Sequence, residues 1–328
     1  MASHKAYSIL TAVFCMSAAV VCAKVVYGQE EASPVFRATS ELVLADVQIL
    51  NIKTGLPAPA LKATDLRIYE DDEQQEIVQF SRDELPLSAV LLFDLTESVR
   101  GVLKSLAAGA KGALGHFKPG DEVAVMAYGV KVRLVDGFTT DRQRTIDAIT
   151  KTSSMRTDEE AYFNEAMFQA AQQLSATGAR RRVIIWFTDN YPNVPFRFKA
   201  HTEEEALRAL HENGVAVAPI LMKSALGGML AFGAGMGEKK YAASHPPGDA
   251  RKYAEVTGGE AMNLRGGKVD ERLSQLIDQL RSRYTVGFRP KGTKAPGTFC
   301  RLRVELVPGG ALSPREWKVL ARQGYYRQ

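Results

Sequence analysis

The chemistry of this chain concentrates in the loop Asp94-Leu95-Thr96-Glu97-Ser98, which follows directly on the apolar run Ala89-Val90-Leu91-Leu92-Phe93. An acid and two hydroxyls thus leave the end of a buried strand at every second position. Side chains alternate along extended backbone, so Asp94, Thr96 and Ser98 form a cradle of oxygens suited to a hard cation such as Mg²⁺, with Mn²⁺ or Ca²⁺ served by the same ligand type. A second apolar run, Val183-Ile184-Ile185-Trp186-Phe187, ends in Thr188-Asp189. Two strands would then deliver carboxylates to one edge, in the crevice where open α/β sheets bind ligands. The plainer alternative is that Asp94 and Asp189 cap the helices that follow, since Asp is a favoured cap and acids suit helix N-termini.

The elements that must position these residues are legible from periodicity. From Leu85 to Arg283 strand-like and helix-like segments alternate, which predicts βα units and a mostly parallel, doubly wound sheet. Val99, Val102, Leu103, Leu106, Ala107, Ala110 and Leu114 fall at helical spacing. Val123 to Tyr128 reads as a strand with Val130 to Val135 as its hairpin partner across Gly129, and Thr140 as the cap of a short helix through Ile149. A helix over Ala161 to Leu174 precedes the Val183 strand, and Arg180-Arg181-Arg182 between them reads as the last turn of that helix. Thr202-Glu203-Glu204-Glu205 is a capping box opening a helix that stops near Gly214. A strand over Val215 to Met222, a helix over Asp249 to Thr257 halted by Gly258-Gly259, a short strand over Ala261 to Leu264 and a helix over Val269 to Arg283 complete the block. Ala225 to Ser244, rich in Gly, Met and Ala, reads as a surface loop.

Both ends differ. Phe36 to Leu50 alternates apolar and polar residues, Leu66 to Tyr69 and Glu76 to Phe80 flank a turn at Asp71-Asp72-Glu73, and three strands follow Arg283: Tyr284 to Phe288, Phe299 to Val307 and Trp317 to Tyr325. Because short unpaired hairpins are marginal alone, the two ends are expected to meet in one small β-sandwich. The implied organisation is residues 1–28 a signal peptide, 35–84 an N-terminal β segment, 85–283 the α/β domain, and 284–328 a C-terminal β segment packing on the first.

The strand with its DxTxS loop, the later strand ending in Thr188-Asp189 and the βα alternation resemble a von Willebrand factor A domain, a Rossmann-like fold. More narrowly, the chain is similar to the bacterial, acidobacterial-type VWFA-related family through Leu61–Glu70 with Gln75-Glu76-Ile77, Pro86–Ser98, Tyr253–Gly259, Leu280–Pro290 and Val319–Tyr326. The resemblance implies a metal-ion-dependent adhesion site. Asp94, Thr96 and Ser98 would be its first-loop ligands and Asp189 its last-loop acid, with Mg²⁺ keeping one position open for a carboxylate of a partner protein. Three departures matter, of which the first, Thr96 in place of the family's usual Ser, keeps the oxygen and is harmless. Glu97 stands where a Gly is usual, and the middle-loop Thr is replaced by Glu160, with Thr157 three residues earlier as the remaining hydroxyl. The resemblance therefore implies a non-enzymatic protein-binding module, with a metal-independent structural or assembly protein as the alternative.

Composition narrows the rest. With 45% hydrophobic and 24% charged residues over 328 positions, the chain is globular and long enough for two domains. Lys5 before the apolar segment Ala6–Ala23 and Val26-Tyr27-Gly28 before Gln29 read as a secretory signal, with an uncleaved anchor as the alternative; membrane attachment is expected by that segment only. Export implies a secreted or envelope protein. Cys15 and Cys22 fall inside the signal, so the mature chain keeps Cys300 alone and forms no intrachain disulfide. Losing Lys5 and Lys24 takes the formal charge from +5 to +3, and no aromatic-basic interleaving supports nucleic-acid binding. The five histidines, His4, His116, His201, His211 and His245, form no metal-spaced pair. Asp94-x-Thr96 resembles the nucleophile strand of haloacid-dehalogenase-type phosphatases superficially, but Thr96 stands where the second acid is needed.

Overall fold

The computed structural model describes residues 42–82, 85–158, 161–190, 200–222, 249–264 and 269–327. Expectations for the signal, Phe36, Glu160 and the Ala225–Ser244 loop lie outside these residues.

The amino-terminal strands are β1 (Val43–Asn51), β2 (Leu66–Glu70), β3 (Glu73–Gln75) and β4 (Ile77–Ser81). The α/β block follows: β5 (Leu87–Asp94), α1 (Arg100–Ala113), β6 (Glu122–Tyr128), β7 (Val132–Thr139), α2 (Arg142–Ser153), α3 (Phe163–Ser175), β8 (Arg181–Thr188), α4 (Glu203–Glu212), β9 (Val215–Leu221), α5 (Ala250–Thr257), β10 (Met262–Asn263) and α6 (Val269–Arg281). The chain closes with β11 (Tyr284–Phe288), β12 (Phe299–Leu306), β13 (Trp317–Leu320) and β14 (Gly324–Tyr326).

The central sheet has the order β10-β9-β8-β5-β6-β7. Every pairing is parallel except β6 with β7, the edge hairpin. Central parallel strands are covered on both faces, and β5 accordingly is buried at every position. Its odd-numbered residues Ala89, Leu91 and Phe93 join the core under α1 and α6, while Val90 and Leu92 join the core under α3, α4 and α5. That alternation puts Asp94 on the side of Tyr128 and Trp186, which belong to the second core.

The flanks form two antiparallel sheets of order β13-β1-β11-β4 and β14-β12-β2-β3. Val47 and Ile49 of β1, Ile68 of β2, Val286 and Phe288 of β11 and Cys300 of β12 share one buried core. Cys300 is fully buried within β12.

Local chemistry corrects several expectations. Asp141, not Thr140, caps α2, accepting from the backbone N–H of Gln143 and Arg144; the carboxylate reaches both orphan amides from an extended residue. Arg181 and Arg182 do not end a helix: α3 stops at Ser175, and these two arginines open β8. The expected last strand divides into β13 and β14, which lie in different sheets. The Thr202 capping box is present, with Thr202 Oγ1 accepting from Glu205 N. Gly258 ends α5 in the left-handed region at φ 75°, and an added Cβ there would meet the backbone of Ala321 and Arg322 at 2.5 Å, so glycine is required.

Candidate metal centre

Asp94 ends β5 in register with Tyr128 of the neighbouring β6. Its carboxylate is 1% exposed and fully enclosed by hydrogen-bond donors. Oδ1 accepts from Thr96 N at 2.9 Å and from Thr96 Oγ1 at 2.8 Å. Oδ2 accepts from Thr188 Oγ1 at 2.8 Å and from Tyr128 OH at 2.9 Å, and Trp186 Nε1 in turn donates to the Tyr128 oxygen at 2.8 Å. The helix-cap alternative fails for Asp94, since the residue preceding α1 is Val99 and neither it nor Thr96 makes a side-chain cap.

Thr96 Oγ1 and Ser98 Oγ lie 2.9 Å apart, both buried, so three expected ligands converge on one spot. Asp189 follows Thr188 at the end of β8 and is half-buried. Burial pushes the Asp94 carboxyl up to about 6, with the Asp189 charge adding to the rise and the Thr96 and Thr188 hydrogen bonds opposing it. Its partners are neutral hydroxyls and one amide. A buried carboxylate held charged without a cation among its hydrogen-bond partners, beside a second acid, is what a divalent ion would offset. The donor set is all oxygen, so Asp94, Thr96, Ser98 and Asp189 fit a hard cation.

Thr157 reaches the same rim by a different route. The segment around Asp158 bridges the first loop: Asp158 N donates to Leu95 O and Glu97 N donates to Asp158 O, each at 2.8 Å. Thr157 Oγ1 then donates to Glu97 Oε2 at 2.6 Å and accepts from Arg100 Nε at 2.9 Å, while Arg100 pairs with Glu97 at 2.8 Å. The middle hydroxyl is therefore beside the loop but engaged by Glu97 and Arg100.

Residues 89–191, from β5 to just past Asp189, match the family model for the von Willebrand factor type A domain. This stretch is a von Willebrand factor type A domain. The chain is similar to three solved structures: a von Willebrand factor type A protein from Catenulispora acidiphila (10% identity, 89% of this chain and 74% of that one, TM-score 0.45), an aerotolerance-related membrane protein from Bacteroides fragilis (11%, 59% and 99%, 0.43), and the hypothetical protein BatB from Bacteroides thetaiotaomicron (12%, 59% and 98%, 0.42). No curated protein matches the chain. A-domains are commonly protein–protein interaction modules, generally without enzymatic activity, and often bind a divalent metal.

Sequence reading missed the second ring of this A-domain site. Thr188 and Tyr128 hold Asp94; the sequence marks Thr188 only as the hydroxyl before Asp189, and a Tyr in another strand carries no signal until pairing sets them in one row. Asn190 was equally silent. It sits at φ 57°, accepts from Ala250 N at 2.9 Å and donates to Asp249 Oδ1 at 3.2 Å, tying the Asp189 loop to the start of α5. An Asn after the last-loop acid is a turn signal in principle, because Asn tolerates the left-handed region. A second oxygen and sulfur grouping, Glu70, Asp71 and Cys300, lies in the flanking sheets. Lys294 contacts Glu70, Asp71 and Cys300, and Arg327 pairs with Glu70 at 3.0 Å, so its charge is already neutralised.

Proposed function

We propose that this A-domain is a protein-binding module of the cell envelope or exterior that engages its partner at the carboxyl edge of the central sheet, through a divalent cation held by Asp94, Thr96, Ser98 and Asp189. The observation that carries the reading is the Asp94 carboxylate, buried and charged among hydroxyls, with the Thr96 and Ser98 oxygens converging beside it. When bound, Mg²⁺ would supply an electrophilic position for a partner's acidic side chain. The chain's own residues do the rest. Tyr128 and Thr188 orient Asp94, the Asp158 backbone fixes the loop, and Arg100 holds Glu97 to the side. Location outside the cytoplasm rests on the apolar segment Ala6–Ala23, and detection of the mature protein beginning near Gln29 in an exported fraction tests it.

The test of the metal reading is a melting experiment with Mg²⁺. A ligand bound only by the native state at a hundred times its Kd stabilises by about 2.7 kcal/mol. Wild type should gain stability in millimolar Mg²⁺, and Ser98→Ala should lose most of that gain. Equal responses from wild type, Ser98→Ala and Asp94→Asn would rule out the site.

The Glu97–Thr157–Arg100 cluster favours a second reading, in which the same edge binds a partner protein without metal and the module serves assembly. Capture of a partner that survives EDTA and Ser98→Ala but fails on Arg100→Glu supports it.

A further inference from the structure

At the opposite, amino-terminal edge of the sheet, where β8 and β9 begin, a cavity of about 320 Å³ lies between the α/β block and the flanking strands. Its lining is strongly cationic: Arg181, Arg283 and Arg322 face it, and Asp46 is the single carboxylate among the described residues that line it. Buried charges are ordinarily paired, because an isolated ion loses its hydration without compensation. Here the count does not balance.

Each guanidinium is held in place by backbone carbonyls, which leaves its charge in the cavity. Arg181, with a side chain 4% exposed, donates to Arg283 O at 2.9 Å and stands 3.5 Å from Asp46 Oδ1. Arg283 is 3% exposed and donates to Gly258 O at 2.8 Å. Arg322 donates to Leu44 O at 2.7 Å. The Nε atoms of Arg283 and Arg322 are buried and make no hydrogen bond among the described residues, and the same holds for Thr285 Oγ1 and His211 Nδ1 on the cavity wall. The polar groups of one wall are thus pre-arranged but unanswered.

We infer that this cavity is a binding site for a small oxyanion of the phosphate class, free phosphate or the monoester end of a small metabolite, held by Arg181, Arg283 and Arg322 with Thr285 as a hydroxyl donor. Guanidinium suits this ligand because its planar fork matches the oxygen spacing of phosphate and it desolvates more readily than an ammonium. Electrostatics agree with the geometry: burial pushes Arg283 down to about 10, the neighbouring Arg181 charge adds to the fall, and Asp46 alone opposes it. The volume falls in the range of small-molecule pockets and exceeds what one ion fills, so an organic monoester also fits. The site stands at the other end of the sheet from Asp94 and is independent of the metal reading.

The experiment is calorimetry and thermal melting of the mature chain with inorganic phosphate and with phenyl phosphate, against chloride at matched ionic strength. Saturable binding of either probe, with stabilisation that chloride does not give, is expected; tighter binding of phenyl phosphate identifies a monoester as the ligand, and equal binding identifies the free ion. Arg322→Gln should weaken binding about tenfold or more. Asp46→Asn removes the competing acid and should tighten it several-fold, an effect that a merely structural cluster would not produce and that still tests the site where Arg322→Gln fails to fold. Absence of binding by both probes, or an Asp46→Asn affinity equal to or weaker than wild type, overturns the assignment.

Discussion

Replacing Asp94 by Asn should stabilise the metal-free protein, although it removes a buried, fully hydrogen-bonded side chain. The carboxyl is pushed from 3.8 to about 6, chiefly by burial. That difference corresponds to about 3 kcal/mol of instability carried at neutral pH by the charged form. Because the folded value lies above the unfolded one, the folded protein keeps the proton longer: stability is fully present below pH 3.8 and is lost as pH rises through about 6. Asn retains an acceptor for Thr96 N and Thr96 Oγ1. Its amino group turns toward the Tyr128 and Thr188 hydroxyls, which must rotate to accept, at a cost of about 1 kcal/mol for one impaired hydrogen bond. The net gain is about 2 kcal/mol, or roughly 4–8 °C in Tm for a domain of this size. Thermal melts in EDTA at pH 7.5 and pH 4 measure it. Asp94→Asn should melt higher than wild type at pH 7.5, and the gap should close at pH 4, while in millimolar Mg²⁺ the order should reverse. A variant melting below wild type in EDTA at pH 7.5 would show that Asp94 carries no uncompensated charge, and the principal argument for a cation there would go with it.

Three further outcomes follow from the geometry. Arg100→Gln removes a cation from the rim of the site; with a side chain 60% exposed its ion pair contributes under about 1 kcal/mol to stability, but calorimetric Mg²⁺ affinity should rise several-fold, and an unchanged affinity would contradict the reading. Gly129→Ala would put a Cβ 2.3 Å from Asp158 Oδ2 and 3.0 Å from Asp158 Cβ, forcing the carboxylate off the Val130 N–H and crowding the residue whose backbone braces Leu95 and Glu97. A stability loss of about 1–3 kcal/mol and a reduced Mg²⁺ response are expected, read from denaturant melts with and without the ion. His211 is held down to about 4 by burial and then by the Arg322 charge. Its folded value lies below the unfolded 6.5, so the unfolded chain takes up the proton first, and stability present above pH 6.5 is lost as pH falls toward 4, by about 3 kcal/mol. Denaturant midpoints at pH 7 and 4.5 should show less acid destabilisation in His211→Gln than in wild type.

Period and punctuation carried the central sheet. The continuous apolar runs of β5, β8 and β9 are the signature of strands buried on both faces, and the Thr202 box and Gly258 stop act through atoms within a turn of themselves. The DxTxS loop was legible for the same reason, since two-residue alternation is a local property. Where expectations slipped, the deciding partner was distant or the choice was between neighbours of like chemistry. Asp141 outcompeted Thr140 as a cap, and Arg181 and Arg182 joined a strand because β8 pairs β5 and β9 from its first residues.

The sequence by itself determined which segments are strands and helices and which oxygens leave the sheet together, because burial on two faces and capping chemistry are written in neighbouring residues. Only the tertiary structure decided that Thr188 and Tyr128 enclose Asp94, that Glu97 and Arg100 claim Thr157, and that Arg181, Arg283 and Arg322 meet around one acid. Those arrangements join residues tens to hundreds of positions apart, and chain spacing carries no record of a contact that packing alone creates.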